Sequence, residues 1–176
     1  MYLETPRLTL QPINENALDA LADLLSDPIV TQTYMVPAFS SRQEALTLAQ
    51  RLKVLSEDPQ FFLAGIYLAQ QLIGILNETD RQGQQIEIGY ALLPAYHNQG
   101  YATEALSGAI GYLLQGKFSS VLAGAFEENT ASIRVMEKSG MIKLPQQDTI
   151  IYREKTHTCL YYCAYRPHRP ETCIFL

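Results

Sequence analysis

Residues Glu87–Leu106, "EIGYALLPAYHNQGYATEAL", decide how the rest of the chain is read. The apolar run "IEIGYALL" just upstream has strand length. A short polar loop, His97-Asn98-Gln99-Gly100, then leads into a helical pattern, with Ala102, Ala105, Leu106, Ala109, Ile110 and Leu113 on one face and Gly116 as a natural stop. The first acid, Glu104, comes only after the opening residues Tyr101, Ala102 and Thr103. The first turn of a helix carries unpaired N–H groups and the positive end of the helix dipole. A glycine at position 100 lets an anion come close to those groups, Ala102 adds little bulk, and Thr103 offers a hydroxyl. The pattern therefore offers a phosphate site. Taken alone, such a Gly-x-Ala also reads as a plain connection.

Working outward, "RLTLQPI" alternates as an opening strand, and Asn14–Ser26 repeats at helical spacing with Asn14 as cap and Pro28 as stop. Ser41 and Glu44 form a capping box for a second helix that ends near "SEDP". "FFLAGIYL" and "LIGILNET" predict a hairpin around "AQQ", and "DRQGQQ" a polar turn before the central strand. Beyond the central helix come a buried strand, "SSVLAGAF", a short helix, "NTASIRVMEKSG", and two strands, "TIIYRE" and "HTCLYYCAY". A Pro-rich tail follows from Arg166. The order βααβββαβαββ predicts an α/β (α+β) fold, a mixed sheet with helices on its faces, as a single domain over 1–176.

The bulk properties exclude several classes. Charged residues at 18% and apolar ones at 47% give a globular chain rather than a disordered one. A net charge of −5 argues against a nucleic-acid partner. No apolar run approaches the roughly 20 residues that span a bilayer. "MYLETPRLTL" has an acid and a proline where a signal peptide would be apolar, so the expected location is cytoplasmic with no membrane association. Cys159, Cys163 and Cys173, odd in number, read as reduced thiols, and no metal site is expected. The G-x-x-x-x-G-K-[ST] and G-x-G-x-x-G patterns are absent, which removes the common nucleotide folds.

A second helix start, Asn129-Thr130-Ala131-Ser132, follows "VLAGAFEE". Asn129 serves as an ordinary cap on one reading. On the other, the two helix starts lie side by side at one end of the sheet, where α/β folds place ligands.

On these stretches the chain resembles the GNAT acyltransferase superfamily, and within it the branch that acetylates ribosomal-protein N-termini (RimJ/RimL-like). "LETPRLTLQPI" is similar to that branch's opening strand, "EIGYALLPAYHNQGYATEAL" to its cofactor strand, loop and helix, and "ENTASIRVMEKSGM" to its second conserved block. The resemblance implies a largely antiparallel central sheet that splays at the cofactor strand, with helices on both faces. It also implies acetyl-coenzyme A as co-substrate. His97–Ala102 matches the pyrophosphate loop [QR]-x-x-G-x-[GA], with His97 where many members carry Gln or Arg. By the same resemblance Gly89 marks a bulge where the strand diverges, and the backbone of Gly89, Tyr90, Ala91 and Leu92 faces the thioester. Asn129 would bond the pantetheine arm and Ser132 would sit near the sulfur.

Acyl transfer to an amine needs a neutral amine, a stabilised oxyanion and a thiolate that can leave. Glu87, two residues before Gly89, is the first candidate base, and a surface carboxylate or an Arg partner is the equal alternative. Glu154 is the second candidate. Many superfamily members carry a Tyr acid directly before the Glu of the second block, where this chain has Met136. Ser132 is the substitute, with Tyr161 and Tyr162 also within reach of such a role. The expected acceptor is a primary amine, either a peptide N-terminus or a small molecule, and the expected state a monomer or homodimer. A coenzyme A-binding module without turnover is the other reading that Met136 and His97 leave open.

Overall fold

In the computed structural model, residues 1–166 are described; the tail beyond Arg166, with Cys173, lies outside them. Among the described residues one sheet holds eight strands in the order β1-β2-β3-β4-β5-β6-β8-β7. These are β1 (Leu3–Glu4), β2 (Leu8–Gln11), β3 (Leu63–Leu68), β4 (Gln71–Gln82), β5 (Gln85–Leu92), β6 (Ser120–Phe126), β7 (Ile142–Tyr152) and β8 (Lys155–Tyr165). Neighbours run antiparallel except β5 and β6, which are parallel and joined through helix α3 (Tyr101–Gln115). The expected mixed, largely antiparallel sheet is found.

Helices α1 (Leu18–Ser26) and α2 (Arg42–Glu57) cover one face. Their apolar sides pack with Leu63, Tyr67, Ile75 and Ala91. The other face carries α3 and α4 (Thr130–Lys138), packed with Ile66, Ile86, Ile88 and Val121. The period-2 alternation along β5 therefore sends Ile86, Ile88 and Tyr90 toward α3 and α4, and Ala91 toward α1 and α2.

Local chemistry explains most boundaries and corrects some expectations. Ser41 Oγ accepts from Glu44 N, capping α2, while the Glu44 carboxylate turns to Ser40 rather than closing the box on Ser41. Asn14 makes no side-chain cap; a 3₁₀ turn, Glu15–Ala17, precedes α1 instead. Strand β7 starts seven residues before the predicted "TIIYRE" and ends at Tyr152. Arg153 (φ 49°) and Glu154 (φ 63°) form a two-residue hairpin turn, which needs positive φ at both positions. Glu154, expected on a strand, thus sits exposed at a hairpin tip. Pro145 falls where the β7–β8 register shifts, and β7 is the sheet's edge, the place a strand tolerates proline.

Candidate active site

The central feature is a parting of strands. β5 pairs with β6 only at Gln85–Ser120, Ile86–Val121 and Glu87–Leu122, although it runs on to Leu92 beside β4. From Ile88 onward its β6 side is open. Leu93 N donates to Ile73 O on β4, so strand alternation turns the amides of Leu92 and Tyr90 toward the opening. The divergence expected at Gly89 is therefore present. The expected bulge is on the neighbouring strand instead: the register slips at Thr79 of β4, between Glu78–Ile88 and Asp80–Glu87, while β5 keeps its alternation. A Cβ at Gly89 would come to 3.3 Å from Thr79 Cγ2, a tight contact that the side chain would have to relieve, and to 3.7 Å from the Tyr34 ring.

At the mouth of the opening lies the loop that precedes α3. Asn98 (φ 59°) and Gly100 (φ 81°) are both left-handed, a geometry that turns successive N–H groups toward one concavity. Gly100 is the N-cap of α3, and no side chain among the described residues caps this helix. The first-turn amides are left for a ligand or water. In contrast, α4 is capped: Asn129 Oδ1 accepts from Ser132 N at 3.1 Å.

The two helix starts and the end of β5 enclose a cleft of about 470 Å³. His97, Asn98, Gly100, Tyr101, Ala102 and Thr103 line it from the loop and α3. Tyr90, Ala91 and Leu92 line it from β5, and Asn129 and Ser132 from α4. Three candidates from β5 and the loop stand apart, as do Glu154, Tyr161 and Tyr162. Gln99 turns its amide back to Ala95 O. Gly89 and Glu87 lie outside the cleft lining, with Gly89 beneath Tyr34 and Glu87 half-buried at the last position that pairs with β6. His97 lines the cleft, yet its Nε2 is engaged with Leu92 O at 2.9 Å, so the ring closes the loop onto β5.

Glu87 is partly buried. Desolvation first, then the carboxylates of Asp80 and Asp148, push its pKa above the ordinary range, and the Thr79 hydrogen bond opposes them. Tyr90 OH is 2.7 Å from Ser132 Oγ and donates to Ser132 O at 3.0 Å. Burial pushes its pKa up to about 12. Met136 is fully buried in the core and offers nothing to the cleft. Cys159 and Cys163 are buried free thiols.

Several lining residues escaped the sequence reading. Arg134 and Lys138, one helical turn apart on α4, bring two exposed cations to the cleft; their i,i+4 spacing within the second block was the available signal. Ile29 also lines the end toward α1, beside Thr33 and Tyr34 of the loop "TQTYMVPAFS", a stretch where the sequence does lead one to expect acceptor choice. Arg7 reaches Gln99 O and lies over the Tyr101 ring, which no local pattern announces.

A family model described as "Acetyltransferase (GNAT) domain" matches residues 7–142. An uncharacterized N-acetyltransferase of Bacillus subtilis (strain 168), YoaA, is 28% identical over 146 residues, covering 80% of this chain and 82% of its own length. The p20 uncharacterized N-acetyltransferase of Bacillus licheniformis is 28% identical over 151 residues, with 80% and 85% covered. Among solved structures, a GNAT-family acetyltransferase from Bacillus anthracis superposes with a TM-score of 0.82 at 23% identity, over 94% of this chain and 99% of that one. RimL, a ribosomal L7/L12 alpha-N-protein acetyltransferase in complex with coenzyme A, superposes with a TM-score of 0.79 at 17% identity, over 94% and 98%. These last two likenesses speak to the fold. The parted strands, the uncapped helix start and the family match together place the chain in the GNAT acetyltransferase family.

Proposed function

We propose that this acetyl-coenzyme A-dependent N-acetyltransferase acetylates a primary amine, a peptide N-terminus or a small molecule, by direct attack in a ternary complex. The observation that carries the reading is the opening between β5 and β6 with the uncapped start of α3 at its mouth. The residues fit the cofactor. Left-handed Asn98 and Gly100 and the free first-turn amides of α3 make an anion cradle for the diphosphate, and Arg134 and Lys138 add positive charge along the same cleft. Asn129 keeps its Nδ2 for the pantetheine arm while Oδ1 caps α4.

The remaining roles follow from position. The amides of Tyr90 and Leu92 supply hydrogen bonds to the thioester oxygen as it gains charge, and Ser132 supplies one to the departing sulfur. Burial raises the proton affinity of Glu87, the direction that suits a general base, and the residue lies on the α1/α2 side of the parted strands. It reaches the amine from that side or through a water, because it does not line the cofactor cleft itself. Ile29, Thr33 and Tyr34 then stand at the acceptor end. The likeness to RimL supports an α-amine acceptor, whose pKa of roughly 8 asks less of the base than an alkylamine does.

Titration with acetyl-coenzyme A, followed by melting temperature, tests the reading. A ligand at a hundred times its Kd stabilises the native state by about 2.7 kcal/mol. Wild type is expected to shift, and Gly100→Glu, with a carboxylate in the cradle and a side chain at φ 81°, is expected to remain folded and not to shift. Thiol release against a panel of peptide and small amines then identifies the acceptor. Absence of a wild-type shift at saturating ligand would overturn the proposal, and binding with no turnover on any amine would reduce it to a coenzyme A-binding module.

A further inference from the structure

We propose that Tyr90 is a positioning residue for the leaving group: its hydroxyl directs the Ser132 O–H toward the cofactor sulfur. The inference rests on the acetyltransferase reading above, and goes beyond it by assigning a role to the β5 side chain. Tyr90 projects from β5 toward α4 and meets Ser132 across 42 positions of sequence, with its oxygen 2.7 Å from Ser132 Oγ and 3.0 Å from Ser132 O. Both residues line the cleft.

A phenol has one proton and cannot donate to both oxygens at once. If Tyr90 donates to Ser132 O, its own oxygen accepts the Ser132 hydroxyl proton. That serine donor then points away from the cleft. If Tyr90 donates to Ser132 Oγ, the serine proton is released to point elsewhere. Ser132 N is already fixed by Asn129 Oδ1, so the backbone at Ser132 is held while the hydroxyl turns between two settings. A departing thiolate selects the second setting. The result is a chain, Tyr90 O–H to Ser132 Oγ–H to sulfur, in which each bond polarises the next.

The balance of charges fits hydrogen bonding without proton transfer to the sulfur. As the amine nitrogen bonds to the carbonyl carbon and the C–S bond breaks, the electron pair goes to sulfur, and the proton that the nitrogen sheds passes to the Glu87 carboxylate, directly or through a water. A thiol of ordinary pKa, roughly 8.5, tolerates that charge near neutral pH. Tyr90, with its pKa pushed up to about 12, is too weak an acid to give up its proton to such a thiolate. It remains a donor throughout. With Met136 buried in the core, the second block has no phenol of its own to aim at the sulfur, and Tyr90 brings one from the opposite wall of the cleft.

The test compares wild type with Tyr90→Phe, Ser132→Ala and the double variant, using acetyl-coenzyme A and an amine that wild type accepts. Tyr90→Phe is expected to keep the acetyl-coenzyme A melting shift while losing about tenfold in kcat, the size of one net hydrogen bond. The double variant is expected to be no slower than Ser132→Ala, because Tyr90 acts through Ser132. Site-specific 3-fluorotyrosine at position 90, a stronger donor of nearly the same shape, is expected to keep or raise kcat. Unchanged kcat in Tyr90→Phe, or losses that multiply in the double variant, would overturn the inference while leaving the acetyltransferase reading intact. A wild type that fails to bind acetyl-coenzyme A would overturn both.

Discussion

Arg7 and Glu104 join the opening of the chain to the first turn of α3: Arg7 N donates to Glu104 Oε1 at 2.7 Å, and Arg7 Nε to Oε2 at 2.6 Å. The same guanidinium bonds Gln99 O at 3.0 Å and lies 4.4 Å from the centre of the Tyr101 ring. One side chain therefore braces the loop and neutralises the only acid in that first turn. Although burial works against it, hydrogen bonds from Thr5 and Arg7 hold the Glu104 carboxylate below its usual range.

The two halves of this pair are not equivalent for cofactor binding. Arg7→Ala leaves a carboxylate beside the diphosphate cradle and frees the Gln99 carbonyl. Glu104→Gln removes the acid and keeps the brace. Arg7→Ala is expected to weaken acetyl-coenzyme A binding by about tenfold, or about 1.4 kcal/mol, and Glu104→Gln by much less. Calorimetric titration checks the order, and equal losses would show that binding depends on the intact ion pair and not on the charge left beside the cradle. Because the folded pKa of Glu104 is depressed, its contribution to stability is present above the unfolded value and is lost as pH falls through the folded one.

Glu87 has the opposite sign. Its folded pKa is raised, so its ionisation at neutral pH destabilises the native state, and that cost disappears as pH falls below the ordinary carboxylate range. Glu87→Gln is expected to melt at or above the wild-type temperature near neutral pH. If Glu87 is also the base, the variant loses about a hundredfold in turnover or more, and the acidic limb of the wild-type pH profile vanishes. A melting gain with unchanged turnover and an unchanged acidic limb would make Glu87 a buried liability without a catalytic role.

Asn129 has two candidate duties that one substitution separates. Asn129→Asp keeps an oxygen to accept from Ser132 N and adds charge that suits a helix start, so α4 is expected to hold its stability. The amide donor is gone, however, and a carboxylate now faces the pantetheine arm. Acetyl-coenzyme A binding is expected to fall about tenfold, where Asn129→Ala loses both binding and about 1 kcal/mol of stability. If the aspartate variant binds as wild type does, Asn129 is a cap alone.

How much of this was legible depended on whether a feature is local. The cofactor loop was readable because a strand period changes to a helical one within ten residues around Gly100. The cap Ser41 was readable for the same reason, with Glu44 three residues on. Residues Ile142–Asp148 were not, since an exposed edge strand has no buried face to impose alternation, and Lys143, Gln146 and Gln147 look like a loop. The Arg153–Glu154 turn lacks the Asn or Gly that announces positive φ. Long-range partners were invisible altogether. Tyr90 and Ser132 each stood out, but only the packing of α4 on β5 shows that they touch.

The last consequence concerns how firmly β4 holds the end of β5. Gly74 pairs with Leu92, and a Cβ at position 74 would lie 2.3 Å from Ala91 O and 2.4 Å from Leu92 Cδ2. Backbone cannot move aside cheaply, and the clash falls on the Ala91 carbonyl and on Leu92, the residue whose own carbonyl holds His97. Gly74→Ala is expected to cost about 1–3 kcal/mol in denaturant unfolding. It should also weaken acetyl-coenzyme A binding, because the disturbance travels through Leu92 into the loop. Gly111, inside α3, gives the contrast: a Cβ there meets nothing within 4 Å, and helical alanine is favoured over glycine. Gly111→Ala is expected to raise stability by about 0.5–1 kcal/mol with binding unchanged. If Gly74→Ala loses stability but binds the cofactor as wild type does, the end of β5 is not what sets the loop, and Arg7 is left as its principal brace.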